Sequence, residues 1–247
     1  MTYHHFAYIY DQLMAHAPYE KWISFTTNII HQLEKEVHTI VDLGCGTGSI
    51  AVRLAKSGFD VIGVDQSTDM LTAAAERALN DNVSINWIEQ DIRKLTGFNQ
   101  IDLFISYCDV INYVTKKHDL QSVFERVYHS LRTGGIFIFD VHSFAYAQKK
   151  LIGQTFADVT DDLAYIWDCE QGNHRGEMYH YLTFFQRENG KYIRFDETHH
   201  QRTYEIYVYE QLLNSGGFTK IHFYSDFLFE KTFSEEHSER IFIVAEK

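Results

Sequence analysis

The sequence predicts an α/β fold on a mostly parallel sheet, with an antiparallel β-sheet inserted late in the chain. Three observations predict it. From Thr39 onward, short buried runs alternate with amphipathic helical stretches, as in consecutive βα units. The glycine turn Gly44-Cys45-Gly46-Thr47-Gly48 joins the first such run to a helix. After His142 the alternation stops, and four runs rich in Tyr, Phe, Thr and Ile follow, two of them flanking Asn189-Gly190, a hairpin dipeptide.

Residues 1–37 are aromatic and His-rich with helical spacing, and read as an N-terminal helical arm. Strands are expected near 39–42, 60–65, 83–88, 101–106 and 136–141. A helix over 119–131 carries Leu120, Val123, Phe124, Val127 and Leu131 on one face and stops at Gly134-Gly135. A short helix near 143–151 leads into runs at 156–159, 163–169, 177–187 and 191–203. A helix over 204–215, stopped by Gly216-Gly217, precedes closing strands at 218–227 and 240–246. Residues 1–151 and 204–247 therefore form the main domain, and 152–203 an inserted antiparallel β unit that acts as a substrate lid.

With 247 residues, 45% of them apolar, the chain can bury a large core. No apolar run approaches the roughly 20 residues of a membrane span, and the N-terminal residues lack a basic-then-apolar leader pattern. A cytoplasmic protein without a membrane partner is expected. The 22 basic and 34 acidic residues leave a net charge of −12. Without a Lys/Arg-rich run, that sign disfavours nucleic acid as a partner. Cys45, Cys108 and Cys169 contain no CxxC pair, and neither HExxH nor a carboxylate cluster at ligand spacing occurs, so no metal is expected.

The glycine turn narrows the ligand. Gly44, Gly46 and Gly48 make G-x-G-x-G, with Ser49 where a dinucleotide fingerprint would place its last glycine. Asp42, two residues earlier, would repel a pyrophosphate, so a cationic ligand fits better. This stretch resembles motif I of the class I S-adenosylmethionine-dependent methyltransferases. Further segments resemble that family in order: Val61 to Asp65, Gln66-Ser67-Thr68-Asp69-Met70-Leu71, Glu89-Gln90-Asp91-Ile92, Ser106-Tyr107-Cys108-Asp109, and Leu131 to Ile136. Tyr10-Asp11-Gln12-Leu13-Met14, Asp109-Val110-Ile111-Asn112-Tyr113 and the insertion are similar to a bacterial subgroup acting on small molecules.

The resemblance implies a Rossmann-like sheet of seven strands in the order 3-2-1-4-5-7-6, with S-adenosyl-L-methionine as cofactor. It places Asp42, Gly44, Cys45 and Gly46 at the methionine portion, Asp65 with Gln66 at the ribose, and Met70, Asp91 and the Ile92 amide at the adenine. Cys108 would lie by the transferring methyl, while Tyr10 and Trp22 either pack the arm or close over the cofactor. Asp65 could instead cap the following helix. Methyl transfer to a nitrogen or oxygen of a small molecule is the expected reaction, by a monomer or homodimer. His142, at the end of strand five, and Tyr113 are the candidate proton acceptors. His199 faces inward on its run, where a hydrogen-bonded structural role outweighs a catalytic one. Aminopropyl transfer, cofactor modification and a non-catalytic cofactor-binding module remain alternatives.

Overall fold

The computed structural model describes residues 9–14, 16–229 and 233–247, so the arm's first eight residues lie outside the described ones. After a helical turn over 9–13, α1 (Tyr19–Gln32) buries Trp22, Phe25, Thr26 and Ile29, the i, i+3, i+4, i+7 stripe of an amphipathic helix. The βα alternation then runs β1 (Thr39–Leu43), α2 (Ser49–Lys56), β2 (Asp60–Asp65), α3 (Thr68–Asn80), β3 (Asn86–Glu89), β4 (Ile101–Ser106), α4 (Lys117–Ser130) and β5 (Leu131–His142). The insertion supplies β6 (Gln154–Val159), β7 (Leu163–Gln171), β8 (Glu177–Glu188) and β9 (Lys191–Arg202). The chain closes with α5 (Ile206–Ser215), β10 (Lys220–Ser225) and β11 (Arg240–Glu246).

The seven-stranded sheet has the order β10-β11-β5-β4-β1-β2-β3, which is the expected 3-2-1-4-5-7-6. Only the β11 pairings, with β5 and β10, are antiparallel. Alternating side chains of β1 feed two cores: Val41 and Leu43 pack with α4 and α5, and Ile40 packs with α1 and α2. Both faces are thus covered, which is why the strands read as continuous apolar runs. Among the described residues, no helix is long and apolar enough to cross a membrane.

Several boundaries differ from the sequence expectation, each for a local reason. β3 begins at Asn86 because the Val83 amide bonds to the Ala78 carbonyl, closing α3 instead of extending the edge strand. α4 runs from Lys117 and stops at Ser130 rather than at the glycines. Leu131 already pairs with Ile101, and the register breaks before Leu103 pairs with Ile136. Gly134 lies within this break at φ 75°, its amide bound to the Lys247 carbonyl. The 143–151 segment is two turns, Phe144–Tyr146 and Ala147–Leu151, the second widened to an i→i+5 bond from Ile152 N to Ala147 O. Tyr204, expected in α5, precedes it and is held by its hydroxyl to the Thr115 carbonyl.

The insertion forms a four-stranded antiparallel sheet, β6-β7-β8-β9. Asn189 and Gly190 both take positive φ, 49° and 78°, the geometry of a two-residue hairpin closed by the Glu188–Lys191 pair. This sheet is fastened to the main domain at several points. Leu163 and Phe184 pack on the buried Ile9, Asn112 Nδ2 donates to the Arg202 carbonyl at 3.1 Å, and the Thr203 hydroxyl donates to the His142 carbonyl.

Candidate active site

A cavity of about 530 Å³ opens at the carboxyl ends of β1, β2, β3 and β4, where parallel sheets expose loop backbone. Gly44 (φ 73°) leaves no room for a side chain, since a Cβ there would fall 2.3 Å from Val110 Cγ1. Gly46 (φ 52°) differs: a Cβ would meet nothing within 4 Å, so the loop presents bare backbone to open space. Such a surface is a cradle for a ligand. The Gly46 amide donates to Asp65 Oδ2 at 2.8 Å, and the Ser67 amide to Asp65 Oδ1 at 2.9 Å. Asp65 thus ties the glycine loop to Ser67 while lining the cavity; the cap of α3 is Ser67 itself, not Asp65. Its two oxygens hold about four acceptor sites, of which these bonds use two. Ser67 Oγ accepts from the Met70 amide, placing Gln66 and Met70 on the same wall.

Asp42 is buried beside a small adjoining hollow that it shares with Tyr10, Cys45, Cys108 and Gly46. Burial, aided by the Asp65 charge, pushes its carboxyl up to about 7. Burial also raises the Cys45 and Cys108 thiols, which makes thiolate chemistry unfavourable. At the opposite wall, Asp91 and Ile92 both line the cavity. The Asp91 carboxylate is engaged by Arg93, with Nε at 2.9 Å and Nη2 at 2.6 Å, and this fork holds it below the usual carboxylate range.

Beyond β4 the chain makes a tight turn in which Cys108 and Asp109 both take left-handed φ, 57° and 54°, a strained pair for non-glycine residues. A buried network holds it there. The Asp109 amide donates to Asp140 Oδ1 at 2.7 Å, and Arg240 bridges the two carboxylates, at 2.9 Å to Asp140 and 3.0 Å to Asp109. Trp22 Nε1 donates to Asp140 Oδ2 at 2.6 Å, and Gln201 Nε2 donates to Asp109 Oδ2 at 2.8 Å. Burial opposes the Arg240 charge, but Asp140 and Asp109 more than offset it and keep the guanidinium protonated. Trp22, Asp109 and Arg240 all reach the cavity wall.

A model of the methyltransferase domain matches residues 40–135. A Geobacillus protein carrying a provisional methyltransferase name is 41% identical over the full length of both chains. The chain is a methyltransferase of this family. An S-adenosylmethionine-dependent methyltransferase from Clostridium acetobutylicum is similar over 100% of this chain and 99% of its own, with TM-score 0.89 and 28% identity. The sugar N-methyltransferase of Streptoalloteichus shares the fold, at TM-score 0.80 and 15% identity over 97% of this chain and 92% of that one. The class I S-adenosylmethionine-dependent methyltransferase expected from the sequence is thereby established, with S-adenosyl-L-methionine as its cofactor.

In this methyltransferase the two expected proton acceptors part company. Tyr113 lines the cavity, its hydroxyl 3.0 Å from His199 Nδ1, and His199 lines it too. His142 is not among the cavity-lining residues. Its amide is taken by Asn112 Oδ1 at 3.0 Å, its ring stacks on Tyr146, and its Nε2 looks at Asp109 Oδ1 across 3.6 Å. Burial keeps it below the usual imidazole range despite Asp109. Sequence reasoning missed Arg240, which lines the cavity, and Asp140 and Gln201, which hold Asp109 and Arg240 from behind it. Asp140 stands at the end of a buried strand two positions before His142, a local signal that could have found it. Arg240 and Gln201 carry none.

Proposed function

We propose that the enzyme methylates a nitrogen or oxygen of a small molecule in a pocket completed by the insertion. The observation that carries this reading is one cavity of about 530 Å³ lined both by Asp65, Met70 and Asp91 of the main domain and by His199 from β9. That is the volume of a small-ligand pocket. Aromatic walls from Tyr10, Trp22 and Tyr113 suit a compact acceptor. The shared fold of a sugar N-methyltransferase is consistent with this class of acceptor.

In this reading, Asp65 and Gln66 hold the ribose, Met70 and Ile92 flank the adenine, and Gly44, Gly46 and the Asp42–Cys45 stretch face the methionine portion. When bound, the cofactor supplies a methyl group on a sulfonium that leaves as a neutral thioether. The chain's own part is alignment: the Cys108-Asp109 turn, braced by Arg240 and Asp140, fixes the wall that an acceptor meets, and Tyr10 with Trp22 excludes water. Purified enzyme with S-adenosylmethionine is expected to release S-adenosylhomocysteine when given the small-metabolite fraction of a bacterial extract. Release with the protein or RNA fraction alone would overturn the small-acceptor reading.

A further inference from the structure

We propose that Tyr113 and His199 form the proton-handling pair of the acceptor pocket, with His199 receiving the proton that the acceptor loses. This rests on the small-acceptor reading above. Tyr113 closes the turn Val110–Tyr113 after β4, and His199 lies on β9 of the insertion, so two separate elements deliver the pair to one cavity. The hydroxyl sits 3.0 Å from Nδ1, and the rings meet edge to face with centroids 5.8 Å apart. The residues expected at ribose and adenine follow β2 and β3. The pair stands on the β4 side of β1, toward β5 and β11, where Arg240 and the Asp109 turn also reach the wall. An acceptor approaching the methyl-facing turn from that side meets Tyr113 and His199 first.

The charges around the pair suit a proton acceptor. Burial holds His199 below the usual imidazole range, against the opposing pull of Asp109. Around it stand Tyr113 from the turn, His180 directly across β8, Glu197 and Gln201 on its own strand face, and Arg240 in the shared cavity. His199 is therefore neutral at neutral pH, with a lone pair to offer. Tyr113 is half-exposed, but desolvation of its hydroxyl within the cavity and the Asp109 charge raise the phenol, which stays protonated and serves as a relay rather than as a phenolate. In the transfer step, the acceptor's lone pair forms the new bond to the methyl carbon as the carbon–sulfur bond breaks, and its electron pair stays on sulfur. The acceptor's proton passes to the Tyr113 oxygen while the phenol's own proton moves to His199 Nδ1. The resulting imidazolium then releases a proton to solvent.

The test uses full-length enzyme, S-adenosylmethionine and the small-metabolite fraction as acceptor source, with release of S-adenosylhomocysteine as readout. His199→Ala is expected to lower the rate about 10²-fold or more while S-adenosylhomocysteine affinity by calorimetry moves less than about twofold. Added imidazole is expected to restore part of that loss, and the acid limb of the pH–rate profile is expected to vanish in the variant. A His199→Ala rate within about twofold of wild type overturns the proposal, as does a loss that imidazole does not rescue and that tracks lost cofactor affinity. A second measurement needs no acceptor: histidine ¹⁵N resonances of the S-adenosylhomocysteine complex are expected to show neutral His199 at neutral pH, shifted in Tyr113→Phe. A protonated His199 under those conditions overturns the pair. A wild-type enzyme inert in the extract counts against the small-acceptor reading, and the resonances still decide the pair.

Discussion

At the residue scale, Asp42 shows what a buried acid beneath the glycine loop costs the fold. Folded Asp42 keeps its proton up to about pH 7, whereas an unfolded aspartate releases it near about pH 4. Between those values the folded chain binds more protons than the unfolded one, so stability falls as pH rises through the window and stays lower above it. Asp42→Asn is expected to raise stability near pH 8 by about 1–4 kcal/mol and to change it little near pH 4, measured by urea unfolding. An equal gain at both pH values would assign the effect to packing. Asp65→Ala is expected to weaken S-adenosylmethionine binding at least about tenfold, or 1.4 kcal/mol, by calorimetry, and unchanged affinity in a folded variant would remove Asp65 from the ribose site. These residues were legible because Gly46, Asp65 and Ser67 lie within one βαβ stretch, where chain order dictates which strand end they occupy. Arg240 was not, because its partners Asp140 and Asp109 are 100 and 131 positions away. His142 stands at the end of β5, but which way its ring points is not written locally: Asn112 and Thr203 take its backbone, and the ring lies toward Asp109 and Tyr146.

At the scale of elements, periodicity made the helices and the β8–β9 hairpin readable, since both patterns are local. The docking of β9 was not readable, because it depends on a relay between separate units. Trp167 Nε1 donates to His180 Nδ1 at 3.0 Å, and since an indole can only donate, His180 carries its own hydrogen on Nε2. That nitrogen faces Gln201 Oε1 at 3.1 Å, and Gln201 Nε2 reaches Asp109 at 2.8 Å. Burial brings His180 down to about 4, which keeps it in this donor-and-acceptor form across the neutral range. Gln201→Leu leaves His180 and Asp109 each short of a buried partner and is expected to cost about 2–4 kcal/mol in urea unfolding. It also frees the Asp109 turn, so cofactor affinity is expected to fall with stability. A variant that loses neither would show that β9 rests on the cavity without bracing it.

For the whole molecule, the question is whether 152–203 is a lid that opens by itself or a wall that folds with the main sheet. The insertion's buried cores are small and shared: Cys169 and Met178 pack with Ala147 and Leu151 of the preceding segment, and Leu163 and Phe184 pack with Ile9 from the N-terminal segment. That same segment ties back to the glycine loop, because Asp11 accepts from the Thr47 hydroxyl at 2.6 Å and pairs with Arg77 of α3. A four-stranded sheet this dependent on outside partners has little stability of its own. The three tryptophans report on the two parts separately, with Trp22 and Trp87 in the main domain and Trp167 on β7. In single-tryptophan variants, the Trp167 and Trp87 fluorescence transitions in urea are expected to coincide. S-adenosylhomocysteine at about 100 times its Kd is expected to stabilise both by about 2.7 kcal/mol, since a ligand that binds only the joined state stabilises everything that melts with it. If Trp167 melts first and its transition ignores the ligand, the insertion is a separable lid. Coincident, ligand-shifted transitions instead make it a fixed wall of the pocket.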